Sequence, residues 1–182
     1  MSSRVITLHR PAEDEWDRVR ELRERAVLDT PIAYLETVDD VRARPEAEWR
    51  ERIRAHGGHS EQIVAIAEDG TWVGSMVVFL SDGPPPYAGG TGRGARRANL
   101  VGVFVDPAWR GGAGVTDLLL DALIDWTRAR GVGALHLHVA ADNPRAVRAY
   151  AKRGFVPTGE RVQVEGGHGV EEIEMVRAIH PA

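Results

Sequence analysis

The sequence predicts a mixed α/β (α+β) fold, with about seven strands in one central sheet and about four helices on its faces. Two observations carry this. Seven segments are rich in aliphatic and β-branched residues and are bounded by Gly, Pro, Asp or Asn. Four others repeat apolar residues at helical spacing. Their order is β-α-α-β-β-β-α-β-α-β-β, a meander followed by strands joined through crossover helices. The length of 182 residues suits one ordinary domain.

Residues 4–8 alternate weakly and read as a first or edge strand. In residues 13–29, Trp16, Val19, Leu22 and Ala26 recur at helical spacing, and Pro31 stops the pattern. A second short helix starts near Pro45 and runs through Trp49 and Ile53 to Gly57-Gly58. Residues 62–67 and 72–80 are strands around Asp69-Gly70, a hairpin signal. Residues 81–97 hold three consecutive prolines and several glycines. They are too long for an incidental turn and suggest a lid, a binding loop or a disordered excursion.

Residues 100–105 (LVGVFV) read as a buried strand ended by Pro107. A Gly-rich turn at 110–114 leads into a helix over 115–130. Its apolar stripe is Val115, Leu118, Leu119, Ala122, Leu123 and Trp126, and Gly131 caps it. Residues 134–139 form another strand. Asn143 reads as an N-cap with Pro144 at the first helical position, and that helix ends at Gly154. Phe155 begins a strand, and residues 170–177 form the last one.

Composition excludes several classes. There is no cysteine, so disulfides, thiol nucleophiles and cysteine metal sites are ruled out. The formal charge of −4 argues against a general nucleic-acid or acidic-membrane binder. No apolar run approaches the roughly 20 residues of a membrane helix. The first residues turn charged before an apolar signal region develops, so no signal peptide is expected, and the absence of cysteine fits a cytoplasmic protein. No nucleic-acid or membrane partner is expected.

The chemistry concentrates between residues 103 and 155. A buried strand, a glycine-rich turn and a helix N-terminus together make an anion site, because converging backbone N–H groups add to the helix dipole. A phosphate or diphosphate is the expected guest. The alternative is a plain strand-to-helix loop that needs Gly for its turn.

The segment reads as strand VFVDP, Arg110, the Gly-rich turn, an amphipathic helix, strand HLHV, and then Asn143-x2-Ala146-x3-Tyr150-x3-Gly154-Phe155. This resembles the GNAT superfamily of N-acetyltransferases, specifically over 100–155 and weakly, through element order, over almost the whole chain. The resemblance implies a single GNAT-like domain over 1–182 with a mostly antiparallel sheet and a splay beside strand 4. It also implies acetyl-CoA as co-substrate. Backbone groups of Val103 and Val105, flanking Phe104, would pair with the pantetheine arm. Backbone amides of Arg110, Gly111, Gly112, Ala113, Gly114 and Val115, with Thr116 beside them, would hold the pyrophosphate. Asn143 would hydrogen-bond the cofactor arm, and Tyr150 would face the thioester sulfur.

One departure bears on the grip. The family turn usually reads Arg/Gln-x-x-Gly-x-Gly/Ala, but counting from Arg110 puts Ala113 and Val115 at the two small positions. One extra residue in the turn reconciles the two.

The implied chemistry is direct attack of a primary amine on the thioester. A backbone N–H on the splayed strand stabilises the oxyanion, and Tyr150 protonates the leaving thiolate as general acid. The base is left open among Glu36, Asp82 and Glu174. For Tyr150 the plain alternative is a half-buried helix tyrosine packing with Val147, and for Asn143 an ordinary helix cap. Tyr34, Glu36, Trp49 and Tyr87 are candidate linings of the acceptor site, and acidic groups there would suit a cationic amine. The acceptor is a small-molecule amine or a protein amino group, and the C-terminal edge strands allow a homodimer.

Other signals are weaker. Gly90 to Ala95 satisfies the dinucleotide pattern G-x-G-x-x-A, but a Pro-rich loop precedes it and strand residues follow, so it is rejected. His136 and His138 share a strand face and read as polar sheet positions, and His56 and His59 as a loop pair, so no metal site is expected. Arg93, Arg96 and Arg97 are either solvated loop charge or a contact for an anionic group. Two competing functions are a non-catalytic acyl-CoA-binding module of the same fold and an unrelated phosphate-ligand domain.

Overall fold

The computed structural model describes residues 5–90, 93–111, 114–163 and 170–180. Its strands are β1 (Ile6–His9), β2 (Ser60–Ala67), β3 (Trp72–Asp82), β4 (Arg96–Val105), β5 (Ala134–Ala140), β6 (Val156–Gln163) and β7 (Glu171–Ala178). Its helices are α1 (Trp16–Asp29), α2 (Val38–Ala43), α3 (Glu46–Arg54), α4 (Val115–Arg128) and α5 (Pro144–Ala151). The strands form one mostly antiparallel sheet in the order β1-β2-β3-β4-β5-β7-β6. The β4–β5 pair is parallel, as a crossover helix requires.

The chain divides into two compact units. The first is Met1–Val78 with Gly102–Leu123, and the second is Phe79–Val101 with Ile124–Ala182. In the first, Val19, Leu22 and Ala26 of α1 bury the helical stripe read from the sequence, against Trp49 of α3, Val64 of β2 and Phe104 of β4. Helix α2 is an addition to the four expected. Thr37 caps it: its Oγ1 accepts from the Asp40 N–H at 3.2 Å, and Asp40 Oδ2 accepts from the Thr37 N–H at 2.8 Å. The element is only six residues long and buries Val41 alone, too short a pattern for periodicity to reveal.

In the second unit, β5 alternates strictly. Leu135, Leu137 and Val139 are buried on one face, and His136 and His138 stand on the other. Its antiparallel partner β7 sets Glu174 opposite His138 and Met175 opposite Leu137. Strand β6 lies at the sheet edge and is exposed along nearly its whole length.

The connection after β3 is shorter than the 81–97 loop expected. Strand β3 runs on to Asp82 and β4 starts at Arg96, and backbone pairing continues just past them, where the Gly83 N–H donates to the Ala95 carbonyl at 3.0 Å. Within the connection, Pro86–Ala88 form a short 3-10 turn. No helix among the described residues is long and apolar enough to cross a membrane.

Candidate functional site

The first unit contains the end of β4 and the turn into α4. Gly102, inside β4, has φ +58°, a conformation open to glycine at little cost. A Cβ there would meet Arg23 Nη1 at 3.3 Å. Just beyond, Tyr34 Oη donates to the Val103 carbonyl at 3.2 Å, and Arg110 Nε donates to the Val105 carbonyl at 2.8 Å. Each carbonyl keeps a second lone pair. Phe104 is buried in the core.

Two charged pairs hold the turn against α1. Arg25 binds Asp106 at 2.5 Å, and Arg110 binds Asp29. Asp106 Oδ1 also caps the short 3-10 turn Pro107–Trp109 by accepting from the Ala108 N–H at 2.9 Å. Gly111 (φ +83°) and Gly114 (φ +66°) follow, and a Cβ on either would meet none of the described residues within 4 Å. Open backbone ahead of a fourteen-residue helix suits a diphosphate, so these residues fit the pyrophosphate of coenzyme A. Gly112 and Ala113, and with them the register of the turn, lie outside the described residues.

Of the acceptor-site candidates in this unit, Tyr34 is a core residue whose hydroxyl is committed to Val103. Burial pushes its phenol up to about 12. Trp49 is likewise buried in the core. Glu36 is clamped between Arg23 and Arg44, the latter at 2.6 Å. Burial alone would raise its carboxyl, but the two guanidinium groups outweigh it and hold the group below the usual carboxylate range.

The second unit contains the other half of the motif. Asn143 caps α5 as the sequence suggests: its Oδ1 accepts from the Ala146 N–H at 3.0 Å, with Pro144 at the first helical position. The side-chain NH2 is a separate donor. Tyr150 lies one to two turns further on, half-buried, with its ring edge-on to Phe155 at 5.7 Å.

Sequence reasoning did not assemble the polar face of β4, β5 and β7 in this unit. The parallel ladder registers Ala98–Leu135, Asn99–His136 and Leu100–Leu137. Arg97 donates from Nη2 to Glu174 Oε1 and from Nε to Asn99 Oδ1 at 3.0 Å. His136 Nδ1 lies 3.4 Å from the same Glu174 oxygen and His138 Nε2 3.9 Å from it. Tyr87 sets its ring edge-on to His138 at 5.6 Å, and burial pushes its phenol up.

Burial lowers both histidines, and the Arg97 charge adds to this, against the pull of Glu174. For Glu174 itself burial acts upward, yet the hydrogen bonds and charge of Arg97 prevail and keep it low. Two of the three base candidates, Glu36 and Glu174, therefore spend their carboxylates on arginines. The third, Asp82, is exposed at the end of β3. The only advance signal for this face was the i, i+2 spacing of Arg97–Asn99, His136–His138 and Glu172–Glu174.

Among the described residues, no group of three or more His, Asp or Glu side chains could hold a metal ion.

Solved structures share this fold. The acetyltransferase of the GNAT family from Streptococcus pneumoniae matches with a TM-score of 0.75 at 18% identity, over 97% of this chain and 100% of that one. The structure of yncA, a putative acetyltransferase from Salmonella typhimurium with its cofactor acetyl-CoA, matches with a TM-score of 0.69 at 20% identity, over 98% and 96%. These likenesses define the class, an acetyltransferase-type fold. The sequence narrows it: residues 16–155 match the acetyltransferase (GNAT) family, and the chain belongs to that family. One relative, the L-amino acid N-acetyltransferase AaaT of Escherichia coli (strain K12), is 25% identical over 183 residues, covering 96% of this chain and 98% of that protein.

Proposed function

We propose that residues 1–182 act as a single N-acetyltransferase domain, moving an acetyl group from acetyl-CoA to the primary amine of a small molecule. An α-amino acid is the first acceptor to test. The observation that carries this reading is the end of β4 followed by the N-terminus of α4, with Gly111 and Gly114 in left-handed backbone ahead of that helix. The end-to-end likeness to an L-amino acid N-acetyltransferase supports the acceptor class.

When bound, acetyl-CoA supplies a thioester carbonyl open to attack and a thiolate that can leave. Backbone groups of Val103 and Val105 hold its arm, and the amides of Arg110, Gly111, Gly114, Val115 and Thr116 grip the diphosphate. Asn143 contributes its NH2 to the arm while its oxygen keeps capping α5. Tyr150 donates its phenolic proton to the thiolate. Glu36 and Tyr87 face the acceptor, Glu36 as part of an arginine-bound cluster. Tyr34 acts from the core, through its bond to Val103.

A thiol-release assay with acetyl-CoA and a panel of amines tests the reading. Tyr150→Phe should lower kcat by about a hundredfold while calorimetric binding of coenzyme A is unchanged. Binding without turnover on any amine would favour the acyl-CoA-binding module, and absence of binding would sink both readings.

A further inference from the structure

We propose that His138 takes the proton from the acceptor amine, with Glu174 and Arg97 as positioning residues behind it. The inference rests on the acetyltransferase reading and adds the base that the sequence left open.

The geometry of the polar face carries it. His138 is the β5 residue directly after Leu137, where the registered ladder with β4 ends. Its side chain is 5% exposed and its Nε2 faces Glu174. That leaves Nδ1, which is buried and has no hydrogen-bond partner among the described residues. A buried ring nitrogen is rarely left so unless a bound molecule or water supplies the partner. His136 differs: its Nδ1 lies 3.4 Å from Glu174 Oε1, and it sits inside the ladder opposite Asn99.

The surrounding charges suit a base. From β4, Arg97 opposes a second positive charge. From β5, His136 does the same. From β7, Glu174 favours the protonated ring. Tyr87, in the 83–95 connection, sets its ring edge-on to the imidazole. Burial dominates and keeps the ring neutral at neutral pH, with a lone pair to accept a proton. Glu172, on the same β7 face, is pushed up by burial. Glu36 and Glu174 each hold at least one guanidinium and are poor proton acceptors.

The step balances simply. The amine lone pair forms the C–N bond as the C–S bond breaks. The nitrogen gives one proton to His138, the thiolate takes one from Tyr150, and exchange with solvent resets both groups.

The test is the pH profile of kcat/KM with acetyl-CoA and the L-amino acid turned over fastest. The wild-type chain should show an acid limb. His138→Gln should lose that limb and at least a hundredfold in kcat/KM, with coenzyme A binding intact by calorimetry. His136→Gln should keep the limb. In Glu174→Gln the limb should move to lower pH, a change that lost packing alone does not cause.

If His138→Gln fails to bind coenzyme A, the shift in Glu174→Gln decides the matter, and an unmoved limb overturns the proposal. A His138→Gln chain with a wild-type profile overturns it while leaving the acetyltransferase reading intact. A wild-type chain that acetylates no amine overturns both.

Discussion

Arg97 and Glu174 form an ion pair across the polar sheet face, with side chains only 10% and 8% exposed. The two residues lie 77 positions apart in the chain, on β4 and β7. Asn99 takes a second Arg97 donor at 3.0 Å, and Thr158 Oγ1 donates to the Glu174 carbonyl at 3.4 Å.

Breaking this pair should be costly, because either partner alone leaves a buried charge. Arg97→Ala is expected to destabilise by about 3–5 kcal/mol in urea denaturation. Arg97→Met combined with Glu174→Leu should cost much less than the sum of the single changes, since the double variant removes both charges. Additive losses would show that the pair is not coupled in solution.

Stability should fall with pH in two windows. His136 and His138 stay neutral in the fold because burial lowers them, while in the unfolded chain they titrate near 6.5. Protons therefore bind the unfolded state first as pH drops through about 6.5, and stability declines from there. Glu36 and Glu174 are held below their ordinary 4.5 by arginines, so their contribution is lost as pH falls below that value. Urea midpoints measured from pH 7.5 to 5.5 should decline, and should decline less steeply in a His136→Gln, His138→Gln double variant, where His56, also lowered by burial, still contributes. An unchanged slope in that variant would refute the first window.

Gly102 should resist substitution. Its φ of +58° disfavours a side chain by about 1–2 kcal/mol, and a Cβ would press on Arg23 Nη1. Gly102→Ala is expected to lower stability by that amount and to weaken coenzyme A binding by disturbing Val103 next to it. Wild-type values for both would mean that the left-handed backbone at Gly102 is dispensable.

The two roles of Asn143 should separate by substitution. Asn143→Ala should lose about 1 kcal/mol from α5 and also weaken coenzyme A. Asn143→Asp keeps the acceptor for the Ala146 N–H, so the melting temperature should hold while affinity falls. Equal affinity in Asn143→Asp and the wild type would leave Asn143 as a cap alone.

Much of this was legible from the sequence because the signals are local. The stripe of α1, the Asn143-Pro144 start of α5 and the Asp69-Gly70 hairpin each need only a few consecutive residues, and the structure bears out all three. Helix α2 escaped because six residues make fewer than two turns, too few for an apolar spacing to repeat. The 83–95 connection was overdrawn because glycine and proline mark a loop without showing where the flanking strands stop pairing.

The chain's own residues thus settled the order of the strands and of the four longer helices, and the cap of α5, since each depends on neighbours within a turn or two. Tertiary structure alone decided which charges meet. Glu36 looks free in the sequence, but folding presents Arg23 and Arg44 to it. Glu174 meets Arg97 and the two histidines only through strand register. Register sums backbone hydrogen bonds and packing over distant segments, and no short stretch of sequence contains that information.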